Sequence, residues 1–132
     1  MSDETEMRPA VPILFVRDVT AAAQFWGERL GFATEFLYGD PPFYGEVRRG
    51  EAVFHLRYVS HPNFAELAAR EKSLILATVA VPDVRAVYAE FERRGAPFVQ
   101  HLVQQPWGGL DFQVEDPDGN RISFVTYQAP NR

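Results

Sequence analysis

Val16-Arg17-Asp18-Val19 and, 65 residues later, Val81-Pro82-Asp83-Val84 open two matching stretches of the chain. The first is followed by Ala21, Ala22, Phe25, Trp26 and Leu30, then Gly31; the second by Ala86, Val87 and Phe91, then Gly95. Apolar residues returning every three or four positions predict a helix with one buried face in each stretch. Asp18 and Asp83 stand where a helix N-cap belongs, with carboxylates able to accept from the free N–H groups of the first turn. The glycines mark the stops, because only glycine takes the left-handed terminating conformation without cost. A period this long, present twice, means a duplicated module and not a solenoid.

The segments after each helix also correspond. Thr34–Tyr38, Phe43–Arg48 and Ala52–Tyr58 read as strands separated by Gly-Asp-Pro-Pro and Arg-Gly-Glu turns. Phe98–Val103, Leu110–Glu115 and Arg121–Tyr127 repeat the pattern around Pro-Trp-Gly-Gly and Asp-Pro-Asp-Gly-Asn. The chain is therefore expected to be an α+β protein of two βαβββ modules, 10–62 and 73–128. A linker helix at 63–72, capped by Asn63, joins them, and residues 1–9 are expected to form a disordered tail.

The tight turn at Asp116-Pro117-Asp118-Gly119 makes its flanking strands a hairpin. One register opposes Glu115 to Arg121, Gln113 to Ser123 and Asp111 to Val125, a mostly polar face. Phe112, Val114, Ile122 and Phe124 then form an apolar face for the helices to cover. In the first module Val53, His55 and Arg57 alternate with Phe54, Leu56 and Tyr58 in the same way. With helices on one side of each sheet, the other sides are expected to make a shared, partly polar concavity.

Composition narrows the function. A chain of 132 residues with 46% hydrophobic and 23% charged residues is an ordinary globular domain. Its mass predicts a folded surface of about 7,000 Å² against about 22,000 Å² unfolded, enough burial for a core without staples. Zero cysteines remove a disulfide framework, a thiolate metal site and a cysteine nucleophile, and fit a cytoplasmic protein. A net charge of −5 argues against a nucleic-acid partner. The longest apolar run, Leu74–Val81, is too short to span a membrane, and the acidic, polar MSDETE opening leads one to expect no signal peptide. Eleven Phe, five Tyr and two Trp exceed what a small core needs, so some rings are expected at a pocket or interface.

The two modules, their strand–Asp–helix–Gly openings and the Glu-Asp-Pro-Asp-Gly-Asn hairpin resemble the vicinal oxygen chelate superfamily. That superfamily includes glyoxalase I, extradiol dioxygenases, fosfomycin resistance proteins and bleomycin resistance proteins. The resemblance covers about Val11 to Tyr127 and implies modules curled into a mixed-sheet cup and a homodimer. In the metal-binding members, four cup positions hold a divalent cation. These correspond here to Val11, His55, Leu76 and Ser123, of which only one is a good ligand, so no metal and no cofactor are expected. Gln105-Pro106-Trp107-Gly108-Gly109 resembles the Trp-Gly-Gly loop of the bleomycin resistance proteins, whose ring lines the drug groove, and Arg49-Gly50-Glu51 resembles their turn.

The expected function is sequestration of an aromatic or cationic drug or metabolite, as in antibiotic resistance, with a small molecule and a second chain as partners. Phe15, Phe43, Tyr44 and Trp107 are candidate stacking groups, and His55, Arg57, Gln113 and Ser123 candidate orienting groups. Blander readings stand beside these. Trp107 also reads as a loop plug, Phe43 and Tyr44 as packing or a dimer seam, and Arg57 as a partner of Asp111 or Glu115. The alternative function is a lyase, isomerase or dioxygenase-type enzyme of the same fold, with His55 as base or in an atypical metal site.

Overall fold

A computed structural model describes residues 4–127. The first half runs β1 (Ile13–Val16), α1 (Val19–Leu30), β2 (Ala33–Gly39), β3 (Pro42–Arg49) and β4 (Ala52–Tyr58). After the short α2 (Phe64–Arg70) come β5 (Ala77–Ala80), α3 (Val84–Arg93), β6 (Phe98–Gln104), β7 (Gly109–Glu115) and β8 (Arg121–Tyr127). Each half makes a four-stranded mixed sheet, ordered β1-β4-β3-β2 and β5-β8-β7-β6. The same topology twice is what the repeat predicts. Of the expected tail, residues 1–3 lie outside the described residues; 4–9 are exposed and carry neither helix nor strand.

The helix starts are built as their sequences require. Asp18 accepts from the Ala21 N–H at 3.0 Å and Asp83 from the Ala86 N–H at 3.2 Å. Asn63 precedes α2, but its side chain makes no capping hydrogen bond, a correction to its expected role. Gly31 ends α1 at φ 73°, and a Cβ there would lie 2.9 Å from Nη1 of Arg49. That guanidinium cannot easily retreat, since it donates to the Leu30 carbonyl and to Glu90. Gly31→Ala is therefore expected to cost about 1–2 kcal/mol, read as a lower urea midpoint with unchanged m-value.

The hairpin register is the one expected from the turn: Glu115 opposes Arg121, Gln113 opposes Ser123 and Asp111 opposes Val125. It turns Phe112, Val114, Ile122 and Phe124 to the helix side, where all four are buried. The first sheet buries Leu14, Val16, Phe54 and Leu56 in the same manner. Trp26 of α1 is fully buried, its ring centroid 4.8 Å from that of Phe32 and 4.6 Å from that of Phe54. One continuous apolar core runs through both modules, each large side chain contributing about 1.5–3 kcal/mol by leaving water.

Polar contacts tie the halves together at two places. At the helix ends, Arg49 forks onto Glu90 at 2.7 and 3.0 Å, and Arg29 and Arg94 donate to carbonyls of the opposite module. The Arg49 hydrogen bond holds the Glu90 carboxyl below its ordinary range. At the other place, Asn120 in the β7–β8 turn donates to the Phe15 carbonyl at 3.1 Å, and Arg17 pairs with Asp118 at 3.1 Å.

Candidate functional site

Strand register assembles the helix-free face of the first sheet from two rows. Ile13, His55, Glu46 and Phe36 stand side by side across β1, β4, β3 and β2. Phe15, Arg57, Tyr44 and Tyr38 form the next row. Ile13, Phe15, Phe36 and Tyr38 are 51%, 48%, 42% and 64% exposed, an unusual density of uncovered apolar surface on one sheet face.

A hydrogen-bonded relay crosses the middle of this face. Nε2 of His55 is 2.9 Å from Oε1 of Glu46, and Nδ1 is 2.7 Å from the Tyr44 hydroxyl. A carboxylate only accepts, so Nε2 carries the proton in the neutral ring and Nδ1 accepts from Tyr44. Phe36 stands edge-on to the imidazole at 6.1 Å, and Arg48 approaches Glu46 at 3.6 Å. The array is half-buried, polar at its centre and apolar at its rim, the pattern of a wall that orients a small molecule.

The corresponding rows of the second sheet are Thr78, Ser123, Gln113 and Gln100, then Ala80, Val125, Asp111 and Val103. Here the polar groups satisfy one another. Buried Asp111 accepts from Gln100 at 2.8 Å, from Gln105 at 2.9 Å and from the Ser123 hydroxyl at 3.4 Å. Gln113 donates to Gln100 at 3.3 Å. Ser123 is 2% exposed, which corrects its expected place among ligand-orienting groups: it supports Asp111 from below.

The remaining candidates divide. Phe43 is the extra residue where the β2–β3 pairing shifts between Tyr38 and Gly39; it lies at the hairpin tip, edge-on to Tyr38 of the cup-face row at 5.4 Å. The Arg57 guanidinium donates to the Tyr58 carbonyl, and neither Asp111 nor Glu115 pairs with it, Glu115 being held by Arg121 at 3.1 Å. Trp107 is 59% exposed, inclined toward Tyr127 at 6.0 Å. Gly108 turns the loop at φ 104°, and a Cβ on Gly109 would strike the Trp107 ring at 2.0 Å. Trp-Gly-Gly is thus a ring laid on a residue that has no side chain. Val11 and Leu76 flank the strands with aliphatic side chains.

The four positions that hold a divalent cation in the superfamily do not fit one here. Val11 and Leu76 carry no donor atom, Ser123 is buried against Asp111, and both nitrogens of His55 are engaged. Glu46, Phe36, Tyr38 and Ile13 escaped the sequence reading. The signal for Glu46 was present: the Arg49-Gly50-Glu51 turn fixes the β3–β4 register that sets it opposite His55.

Two open four-stranded mixed sheets share a helix-covered core, each with its other face free of helices, and define a two-module α+β protein. The chain belongs to the Glyoxalase/Bleomycin resistance protein/Dioxygenase superfamily, which it matches over residues 8–124. No curated protein matches it in sequence. Among solved structures it is similar to the bleomycin-binding protein of bleomycin-producing Streptomyces verticillus in complex with copper(II)-bleomycin. That pair shares 28% identity and a TM-score of 0.72, over 94% of this chain and 99% of the other. A bleomycin-binding protein complexed with bleomycin gives 24% and 0.73, over 92% and 100%. A glyoxalase-related enzyme from Clostridium phytofermentans gives 18% and 0.75, over 96% and 100%; these last two likenesses are of fold.

Proposed function

We propose that this chain is a metal-independent small-molecule binding protein that sequesters an aromatic or cationic drug or metabolite in a groove closed by a second copy of the chain. The observation that carries the reading is the open face of the first sheet, with exposed Phe15, Phe36 and Tyr38 around the Tyr44–His55–Glu46 relay. Rings stack on a flat ligand, Glu46 supplies negative charge, and Tyr44, His55, Arg57 and Gln113 orient polar groups. Trp107 closes the groove from its glycine seat. His55 acts as a wall group that ties Tyr44 to Glu46 and so fixes how both meet the ligand. An apolar face this open also suits a homodimer of two 15.0 kDa chains. Residence in the cytoplasm belongs to the same proposal; among the described residues no helix is long and apolar enough to cross a membrane.

Bleomycin is the first ligand to titrate. Calorimetry is expected to show saturable heat together with quenching of tryptophan fluorescence. Trp26 is fully buried, so quenching reports on Trp107. Absence of both signals removes bleomycin as the ligand. Glu46→Gln is expected to weaken a cationic ligand about tenfold, equivalent to about 1.4 kcal/mol. Elemental analysis of protein purified without chelator separates the enzyme reading, since a stoichiometric divalent metal contradicts sequestration without one.

A further inference from the structure

The internal repeat has an unequal seam. In one half, the turn before β8 closes onto the edge strand of the opposite module: Asn120 donates to the Phe15 carbonyl, and Asp118 accepts from the Arg17 N–H at 3.2 Å. Gly119 is pressed against α2, where a Cβ would meet that of Ala65 at 2.6 Å. Strand register identifies the counterparts in the other half. Ile13 pairs with His55 as Thr78 pairs with Ser123, so Ala52 stands where Asn120 does, Ala80 where Phe15 does, and Pro82 where Arg17 does. A methyl group replaces the carboxamide, and proline has no N–H to offer. Gly50, in the adjoining turn, has nothing within 4 Å of an added Cβ.

The seam is open there. A cavity of about 420 Å³ lies between the modules, walled by Phe32, Val79, Val87, Phe91 and Phe124. A second, of about 290 Å³, adjoins it across Ala52 and Ala80. The larger volume is that of a small-molecule site. Their shared rim is rich in acceptors. Val81 gives its N–H to the Val125 carbonyl, so alternation along β5 turns the Ala80 carbonyl outward, as Phe15 turns toward Asn120. Glu51 borders both cavities, and its carboxylate has no partner among the described residues. Of the cations around Glu51, Arg49 is committed to Glu90 and the Leu30 carbonyl, while Arg8 and Arg48, which share a further hollow with Glu51, pair with Glu6 and with Glu46.

We infer that this seam is a second ligand site, separate from the cup, that takes a small apolar amine, with the ammonium between Glu51 and the Ala80 carbonyl and the hydrocarbon body in the larger cavity. The amine's N–H groups take the place that Asn120 fills in the other half, and the open carboxylate selects a cation over a neutral or anionic group. The site does not depend on the cup's ligand.

Benzylamine and benzyl alcohol, as an isosteric pair of probes, test the inference by amide chemical-shift titration of the whole protein. Benzylamine is expected to shift Ala52, Ala80 and Val87 with a Kd on the order of 10⁻⁴ to 10⁻³ M for eight heavy atoms. Benzyl alcohol is expected to bind at least tenfold more weakly. Glu51→Gln is expected to erase that preference, and Ala52→Asn, which rebuilds the closed half, to abolish binding of both probes while the remaining spectrum stays folded. Shifts confined to His55 and Trp107, equal binding of the two probes, or amine binding unchanged in Glu51→Gln each overturn it.

Discussion

Trp26→Ala is expected to lose about 4 kcal/mol of unfolding free energy, near the upper range for truncating a large buried ring. A single domain of this kind has about 5–15 kcal/mol in all, so the variant is expected to lie near its unfolding midpoint on mild warming. Trp26 is fully buried between Phe32 and Phe54, and Phe54 belongs to the strand that carries His55. Removing the indole withdraws support from β4, so the Tyr44–His55–Glu46 relay should loosen before the second sheet does. Trp26→Phe separates ring packing from the indole nitrogen. Among the described residues, Nε1 of Trp26 is the buried side-chain polar atom without a hydrogen-bond partner. Phenylalanine discards that unsatisfied donor while keeping most of the contact, and a loss of no more than about 1–2 kcal/mol is expected. Urea unfolding of both variants gives the comparison, and a loss below about 2 kcal/mol for Trp26→Ala contradicts the placement of the ring.

The repeat made the topology readable because capping and periodicity are local. Asp18 and Asp83 announce their helices within four residues, and the β7–β8 register follows from one tight turn. At the positions that the resemblance assigns to a metal, Val11 and Leu76 bring no donor atom, a point of side-chain chemistry alone. Non-local pairings were not readable. Nothing near Ser123 reveals that Gln100 and Gln105 converge on Asp111 and bury the hydroxyl with it. The register shift that leaves Phe43 unpaired against β2 was hidden too, because two prolines obscure where pairing begins. The unequal seam was out of reach for the same reason. Ala52 is unremarkable until the register makes it the counterpart of Asn120.

Asp116→Ala is expected to cost about 3 kcal/mol at pH 4, and distinctly less at pH 7. Oδ1 of Asp116 accepts the backbone N–H groups of Asp118 at 2.9 Å and Asn120 at 2.8 Å, and Oδ2 accepts the Asn120 amide at 2.8 Å. Alanine leaves those buried donors without acceptors, at about 1–3 kcal/mol each before relaxation. Asn120 is the side chain that reaches the Phe15 carbonyl, so the loss extends to the seam between modules. The pH dependence follows from burial, which raises the Asp116 pKa from 3.8 to about 6 against the opposing pull of its hydrogen bonds. Between about pH 4 and 6 the folded chain keeps a proton that the unfolded chain has released. Stability from this group is therefore full below the unfolded value and falls as pH rises through the folded one, by up to about 3 kcal/mol. Glu90 acts in the opposite sense, its contribution present above its ordinary value of 4.5 and lost in acid. Asp116→Asn removes the first titration and keeps the second. The wild-type decline between pH 4 and 6 is then expected to vanish in Asp116→Asn while the acid limb remains, read from urea midpoints across pH. An unchanged decline in that variant places the titrating group elsewhere.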